Sequence, residues 1–504
     1  MTDQYILALD LGSSSLKCAV ISHQGRVLAL ARTPMQYFHP AGLSDLTLEF
    51  RADEVWNATC QLIRQCLEKA AIVGKCISAV GTTSQRGGMV ILNRHGKAIY
   101  AGPNDDIRAI FEGMEIDEHH GEELYCLTGH LPSFMFAPAR LNWFKNNNAK
   151  VFSEFSTVLP ICDWLVFQLT GSIKGERSAL VEIGMLPLLD TPPKDRIPNL
   201  LGLDPALMPE VTFSGITSGY LTEQASKHTG LSPKIPVVSG GPDTQCGLLG
   251  MNAINTGQLG ILLGWSGPLQ LVTNSPCIDK KRRTWAGRHI IPNNWVLESS
   301  TTEAGRALDW ITKTFRLNNV MDNWHPQALD KEKSLFSSYQ ALAMLGPRIM
   351  NAKRLGIQLG GILFPVPAGH SNRSRDMLIA ASLKNLAFAI RGNIMQLANV
   401  SESSSSSIAI GGGVTKIKGF PQLIADTLGQ AITVSDVKDS SVLGTAMSAA
   451  TGLGIYNNLS EASVAMKGDT LSLEPNWEAT SNLEEEYERW FTLYSKLDAL
   501  AKDL

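Results

Sequence analysis

The sequence predicts an α/β chain of two large domains, and three observations lead to that prediction. The chain has 504 residues, which is beyond the size at which one hydrophobic core keeps growing. Short apolar runs typical of strands alternate with stretches whose apolar residues recur at helical spacing. A strand-turn-strand plan at the N-terminus recurs after residue 250 without detectable sequence identity. We therefore expect domains over residues 1–250 and 251–504.

The first domain is expected to open with a meander of strands, whose first turn contains Gly12 and three serines. A buried-strand pattern also leads into Gly240-Gly241-Pro242-Asp243. The apolar runs predict strands at 5–10, 18–22, 27–31, 77–82, 89–92 and 235–239. Helical spacing predicts helices at 52–71, 139–144 and 162–169.

The second domain is expected to start with strands at 258–263 and 268–273 around the turn Gly264 to Gly267. A third strand at 408–410 enters Gly411-Gly412-Gly413. Amphipathic patterns predict helices at 377–397, 421–428, 443–451 and 482–504, the last a charged terminal helix.

Composition and charge argue against several classes of partner. The formal charge of −3 and the pI near 6.4 supply no basic field for nucleic acid or for an anionic membrane surface. No apolar run is long enough to predict a membrane-spanning helix. The eight cysteines show neither C-x-x-C pairs nor metal-ligand spacing, which suits a reducing compartment. With no signal-peptide pattern, we expect a cytoplasmic protein.

The turn after the first strand has the composition of a phosphate site. It reads Asp10-Leu11-Gly12-Ser13-Ser14-Ser15-Leu16-Lys17. Its amides and hydroxyls are donors suited to phosphate oxygens, Lys17 supplies a positive charge, and Asp10 is placed to hold Mg²⁺ through water. The alternative is an ordinary hairpin, because Gly and Ser also favour turns for conformational reasons.

This turn resembles the first phosphate loop of the FGGY carbohydrate kinase family, whose pattern is D-x-G-T-T/S-S-x-K/R. The resemblance covers roughly residues 5 to 456, and its strength lies in an ordered set of motifs. Those that follow are Ser84-Gln85-Arg86-Gly87-Gly88, Asp106-Ile107-Arg108, Leu169-Thr170-Gly171, Gly240-Gly241-Pro242-Asp243, Gly411-Gly412-Gly413, Gln422, Ala425-Asp426 and Leu443-Gly444-Thr445-Ala446.

The resemblance implies two actin-like, RNase H-like domains flanking a deep interdomain cleft, with ATP and Mg²⁺ as cofactors. Asp243 would be the general base that takes the proton of a sugar hydroxyl, and with Asp10 it would hold the metal. A carboxylate suffices for this task because phosphoryl transfer depends mostly on positioning and charge stabilisation. The alternative is that Asp243 only caps a helix starting near Thr244.

The resemblance also assigns binding residues. Gln85, Arg86, Asp106 and Arg108 would contact the sugar, although Asp106 and an arginine also suit a plain surface ion pair. The expected nucleotide contacts are Gly12, Ser13, Ser14, Ser15, Lys17, Gly264, Ser266, Gly305, Gly412, Gly413 and Gln422. The glycines would let the backbone approach the nucleotide without a Cβ in the way.

Two departures from the family pattern stand out. The second phosphate loop usually reads G-T-S, whereas here it is Gly264-Trp265-Ser266-Gly267, and an indole cannot replace a threonine hydroxyl. Either Ser266 and the backbone amides cover the loss, or Trp265 points away from the nucleotide. In addition, Lys384 stands where the family has an acid.

The acceptor is left open among several small molecules. We expect a ketopentose such as xylulose, with dihydroxypentanedione (autoinducer-2), glycerol, gluconate or ribulose as alternatives. A non-catalytic, actin-like nucleotide switch and a binding module without nucleotide are the competing classes. The resemblance also suggests a possible homodimer.

Overall fold

A computed structural model describes residues 4–316, 341–354, 358–363, 374–437 and 439–501. Its strands are β1 Tyr5–Leu11, β2 Ser15–Ser22, β3 Val27–Pro34, β4 Ile77–Ser84, β5 Met89–Leu92, β6 Ala98–Gly102, β7 Thr157–Pro160, β8 Lys174–Glu176, β9 Glu210–Thr212, β10 Thr217–Tyr220, β11 Pro236–Pro242, β12 Gln258–Leu262, β13 Pro268–Thr273, β14 Trp285–Arg288, β15 Trp295–Ser300, β16 Leu342–Met344, β17 Gly361–Leu363, β18 Ser407–Gly411, β19 Ile432–Ser435 and β20 Thr470–Leu473.

The helices alternate with these strands, which confirms the predicted α/β class. They are α1 Ala52–Ala70, α2 Ile110–Thr128, α3 Ala137–Asn147, α4 Ala149–Phe152, α5 Ile161–Thr170, α6 Arg177–Glu182, α7 Arg196–Leu200, α8 Glu223–Thr229, α9 Asp243–Gly250, α10 Gly305–Thr314, α11 Ser374–Ser401, α12 Phe420–Leu428, α13 Ser440–Gly452, α14 Leu459–Met466 and α15 Trp477–Leu500. The last three residues of the predicted terminal helix, 502–504, lie outside the described residues. Within the described stretches, no helix is long and apolar enough to cross a membrane.

The chain forms two compact units, each assembled from three stretches of sequence. The first unit comprises Met1–Thr256, Val272–Val296 and Asp439–Gly468, and the second comprises Gly257–Leu271, Leu297–Lys438 and Asp469–Leu504. The division into domains 1–250 and 251–504 stays a prediction.

A six-stranded sheet in the order β10-β11-β4-β1-β2-β3 organises the first unit. β4 runs parallel to both β1 and β11, while β2 is antiparallel to β1. Helix α1 is amphipathic and buries Val55, Leu62 and Ile63 against the sheet. The predicted meander is thereby confirmed, and β1, β4 and β11 point their carboxyl ends in one direction.

Helix α13 belongs to the first unit although it lies more than 400 residues after β1 in the sequence. It packs against β1, β4, β11 and α9. A glycine makes the contact with α9 possible, because a Cβ on Gly444 would stand 1.8 Å from the carbonyl oxygen of Cys246. This close approach places the N-terminus of α13 beside the end of β1.

The second unit contains strands in the order β15-β13-β12-β18-β19-β20. β12 and β13 form an antiparallel pair and β12 is parallel to β18, which repeats the relation of β1 to β2 and β4. The unexpected Lys384 lies on α11, and its Nζ is 2.6 Å from Oε2 of Glu486 on α15. Both side chains are largely buried, so the basic residue has an acidic partner inside the unit.

Candidate active site

The candidate site lies where the three parallel strands of the first unit end. The register aligns Asp10 of β1 with Thr83 of β4, and Thr83 with Gly241 of β11. Thr83 also donates its hydroxyl to the carbonyl oxygen of Gly241 at 2.7 Å. Helix α9 begins with Asp243 directly after β11. Ligands of α/β sheets gather at such an edge.

Four polar groups form a closed set at the end of β1, which we call the Lys17 cluster: Asp10, Lys17, Asp439 and Ser441. The ammonium of Lys17 lies 2.9 Å from Oδ2 of Asp10 and 2.8 Å from Oδ2 of Asp439. The hydroxyl of Ser441 is 2.7 Å from Oδ2 of Asp10 and 2.8 Å from Oδ1 of Asp439. Residues of β1, β2 and the start of α13 thus meet at one point.

In the Lys17 cluster, burial and the neighbouring charges have opposing effects on the pKa of each ionisable group. Burial raises the pKa of Asp10 against the attraction of Lys17. Burial also opposes the charged form of Lys17, but the carboxylates of Asp10 and Asp439 outweigh it and raise the pKa of Lys17. The same ammonium lowers the pKa of Asp439 although burial works the other way. The lysine therefore stays charged.

The serine turn is closed by its own backbone and tied to the end of β4. The amide of Gly12 donates to the carbonyl oxygen of Ser15 at 3.1 Å. Tyr37 donates its hydroxyl to the carbonyl oxygen of Ser13 at 2.8 Å and accepts from Nε2 of Gln85 at 3.2 Å. The side chain of Ser14 is exposed. Gln85 thus lies beside the turn, where its predicted sugar contact stays a prediction.

Asp243 does not have the capping role that was the alternative to catalysis. Pro242 occupies the N-cap of α9 without a side-chain hydrogen bond, and Asp243 is the first helical residue. Burial and the nearby Asp10 carboxylate raise the pKa of Asp243 to about 7, against the opposing charges of Arg86 and Lys17. A general base works best when its pKa lies near the operating pH.

The positive charge of Arg86 acts on Asp243, and Arg86 is itself paired with a buried acid that the sequence did not reveal. Its Nη1 is 3.3 Å from Oε2 of Glu182. Gln245 donates to Oε1 of Glu182 at 2.8 Å, and Nε2 of His130 is 3.4 Å from Oε2. Burial alone would raise the pKa of Glu182, but Arg86 and His130 lower it to about 2. Glu182 is therefore ionised at neutral pH.

An aromatic side chain flanks the same arginine. The guanidinium of Arg86 lies 5.7 Å from the ring centroid of Trp285. The indole donates to the carbonyl oxygen of Leu131 at 2.6 Å, which fixes the ring. Arg86 is consequently confined between an acid and an indole.

Asp106 and Arg108 form a buried pair instead of a surface pair. Oδ2 of Asp106 accepts from Nε of Arg108 at 2.7 Å and from the hydroxyl of Tyr100. The Nη2 of Arg108 lies 2.7 Å from Oε1 of Glu49, and its guanidinium lies 5.0 Å from the ring centroid of Trp143. These contacts favour a positioning role, and the predicted sugar contact of the pair stays a prediction.

In the second unit, the loop Gly264 to Gly267 packs against the start of α10. The amide of Gly305 donates to the carbonyl oxygen of Gly264 at 3.0 Å, and that of Arg306 to the carbonyl oxygen of Trp265 at 3.1 Å. A Cβ on Gly305 would stand 2.6 Å from the Gly264 oxygen. The glycine is needed for this close approach.

Trp265 points away from the interior of its unit. Its side chain is 41% exposed, and the guanidinium of Arg306 lies 5.6 Å from the ring centroid. The indole is therefore not part of the core of its unit, and both explanations for the altered loop stay predictions.

The glycine turn after β18 approaches the same loop from another side. Gly412 has φ +107°, and a Cβ there would stand 2.5 Å from the carbonyl oxygen of Leu263, whereas Gly413 faces open space. Gln422 donates to Oδ1 of Asp426 and to the carbonyl oxygen of Glu474, both at 2.8 Å. The nucleotide contacts of Gly412, Gly413 and Gln422 stay predictions.

The first unit contains one carboxylate oxygen that is available to a magnesium ion. Oδ1 of Asp10 is buried and has no hydrogen-bond partner. Among the described residues, no group of three or more His, Cys, Asp or Glu side chains is placed to hold a metal. Mg²⁺ is commonly held by one or two carboxylates together with substrate phosphates, which matches a single orphaned carboxylate oxygen.

Comparisons with known proteins extend over nearly the whole chain. The curated autoinducer-2 kinase of Salmonella typhimurium is 27% identical over 516 aligned residues, covering 98% of this chain and 95% of the relative. The structure of xylulose kinase from Lactobacillus acidophilus matches with TM-score 0.84, 18% identity and 99% coverage of both chains. Plasmodium falciparum glycerol kinase with ADP matches with TM-score 0.79, 17% identity and 98% coverage of both.

Two family models match the sequence itself. The model of the N-terminal domain of the FGGY family of carbohydrate kinases matches residues 5–250, and the model of the C-terminal domain matches residues 262–453. The ordered motifs and the two α/β units agree with this result. The chain is therefore an enzyme that belongs to the FGGY family of carbohydrate kinases.

Proposed function

We propose that this kinase transfers the γ-phosphoryl group of ATP to a hydroxyl of a five-carbon, open-chain hydroxy ketone. The observation that carries the proposal is the position of Asp243, which is half-buried directly after β11, within electrostatic reach of Arg86, and has its pKa raised to about 7. Such a carboxylate is partly ionised at neutral pH and accepts a proton readily.

In the reaction, the acceptor oxygen attacks the γ-phosphorus as its proton passes to Asp243. The new oxygen–phosphorus bond forms while the bond to the ADP oxygen breaks, and ADP leaves with the bonding electron pair. Lys17 and the amides of the serine turn stabilise the charge on the phosphate oxygens. Arg86, fixed by Glu182, would orient the acceptor.

Mg²⁺ would be held by Asp10, with Asp243 as its second carboxylate, and would supply positive charge to the phosphates. The charges of the first unit favour the binding of a divalent cation. The Lys17 cluster combines two carboxylates with one ammonium, and Asp243 is a further acid nearby. A divalent cation offsets this excess before a polyphosphate approaches.

Xylulose is the first acceptor we propose, and dihydroxypentanedione is the second. The first is supported by the likeness of the fold to xylulose kinases, and the second by the full-length likeness to autoinducer-2 kinases. Both are five-carbon chains with a ketone and free hydroxyls, so one binding site of this class suits either. A cytoplasmic location and a homodimer also remain predictions.

A coupled assay of ADP release tests the proposal with xylulose, ribulose, dihydroxypentanedione, glycerol and gluconate as acceptors. Release that depends on xylulose, ribulose or dihydroxypentanedione supports the five-carbon class and identifies the acceptor. Release that depends only on glycerol or gluconate overturns the five-carbon class. Tight ATP binding without any acceptor-dependent release would favour a non-catalytic switch.

A further inference from the structure

We infer that Asp439 is a positioning residue that holds the Lys17 ammonium for the nucleotide phosphates. The inference rests on the proposed function in one respect, namely that Lys17 contacts those phosphates. No sequence motif of the phosphate site includes Asp439, which follows Lys17 by more than 400 residues and reaches it only through the packing of α13 in the first unit.

The geometry accounts for two of the three donors of the lysine. One N–H of the ammonium points to Oδ2 of Asp10 at 2.9 Å and another to Oδ2 of Asp439 at 2.8 Å. An ammonium has three donors, so one is left for a phosphate oxygen. With Asp10 as its only partner, the flexible lysine stem would be free to rotate about that single contact.

Asp439 is itself fixed by the helix that it begins. It is the N-cap residue of α13, and its Oδ1 accepts from the amide of Val442 at 3.4 Å. The hydroxyl of Ser441 links the same oxygen to Asp10. Helix α13 therefore fixes the Asp439 carboxylate through the cap contact with Val442, and that carboxylate in turn holds the ammonium of Lys17.

A purely electrostatic role for Asp439 makes the opposite prediction. If Asp439 contributed only negative charge, removing it would reduce repulsion and tighten the binding of a polyphosphate. If it positions Lys17, removing its charge releases the ammonium and weakens that binding. The sign of the change therefore separates the two roles.

Asp439→Asn is the informative substitution because asparagine is an equally good N-cap and keeps an acceptor for Val442. Calorimetric titration with Mg²⁺ and a non-hydrolysable ATP analogue should show affinity at least about tenfold weaker, the usual effect of losing a hydrogen bond between charged groups. In a Lys17→Met background, Asp439→Asn should cause no further weakening. Asp204→Asn, which changes an exposed capping aspartate, is the matched control and should bind like the native protein.

Unchanged or tighter binding by Asp439→Asn would overturn the inference, and so would an equal loss in the Lys17→Met background. If thermal unfolding shows that Asp439→Asn does not fold, Ser441→Ala tests the same cluster. It should weaken binding in the native background and not in the Lys17→Met background, and any other pattern contradicts the inference. Failure of the native protein to bind the analogue would instead refute the proposed nucleotide site.

Discussion

Replacing Glu182 by glutamine removes a buried acid that is paired with Arg86. The native carboxylate is 3% exposed in its side chain and lies 3.3 Å from Arg86. Its pKa is lowered to about 2 from an ordinary value of 4.5. That difference corresponds to about 3 kcal/mol of stability at neutral pH. It is an upper limit for Glu182→Gln, because glutamine keeps an oxygen that accepts from Gln245.

The sign of the pH dependence follows from the lowered pKa. The stabilisation is complete above pH 4.5 and is lost as the pH falls toward about 2, because the folded carboxylate resists protonation more than the unfolded one does. Urea unfolding at neutral pH should therefore show Glu182→Gln less stable by up to about 3 kcal/mol. The difference should shrink below pH 4.5.

Glu210→Gln is the matched control, since this glutamate is 72% exposed and 3.9 Å from Lys174. It should change stability by less than about 1 kcal/mol. Glu182→Gln should also raise the KM for the sugar while leaving nucleotide affinity unchanged, because Arg86 loses its ion pair with Glu182. Equal unfolding curves for Glu182→Gln and Glu210→Gln would refute this account of Arg86.

Of four further predictions, one concerns the base, two concern the second phosphate loop, and one concerns the buried pair of the second unit. The kcat/KM for the sugar should rise with pH up to about 7 and then level off, because Asp243 must be ionised to act as the base. Trp265→Ala should leave nucleotide affinity within about threefold of native, a small effect expected of an exposed side chain. Gly305→Ala should lower that affinity strongly, because its Cβ would meet a loop carbonyl oxygen at 2.6 Å. In urea unfolding, Lys384→Met should cost about 3–5 kcal/mol, and adding Glu486→Met should restore much of that loss.

The strands that carry the site were predictable because their signals are local. The run Tyr5–Asp10 and the strand predicted at 235–239 were both identified. The structure has them at Tyr5–Leu11 and Pro236–Pro242, so the first gains one residue and the second starts one residue later and ends three residues later. The residues added to the second strand are two glycines and a proline, which are weak strand formers. Helix α13 likewise begins at Ser440, three residues before the predicted start, because Asp439 caps it.

The groups that hold the site together could not be predicted from local sequence. Glu182 sits in an unremarkable apolar stretch, and nothing there indicates that it faces Arg86. Asp439 does precede two serines and an apolar run, which is an N-cap pattern. That pattern predicts a helix start, but only the tertiary packing brings it to Lys17.

The type of a residue also does not indicate whether its polar group already has hydrogen-bond partners within the protein. The resemblance assigned Asp106 and Arg108 to the sugar, with an ion pair as the alternative, and the sugar contact stays a prediction. In the structure Asp106 accepts from Arg108 and from Tyr100, and Arg108 also pairs with Glu49. Buried polar groups need partners, and the sequence alone does not show which partners a fold supplies.

Asp243→Asn gives the most direct test of the central claim, which is that Asp243 is the general base of a sugar kinase. Asparagine preserves the size of the side chain but does not accept a proton at neutral pH. The variant should still bind the Mg²⁺ complex of the ATP analogue through Asp10 and Lys17, and it should lose acceptor-dependent ADP release at saturating Mg²⁺ and nucleotide by at least about a hundredfold, as expected for removal of an acid–base group. Native turnover in this variant would contradict the claim.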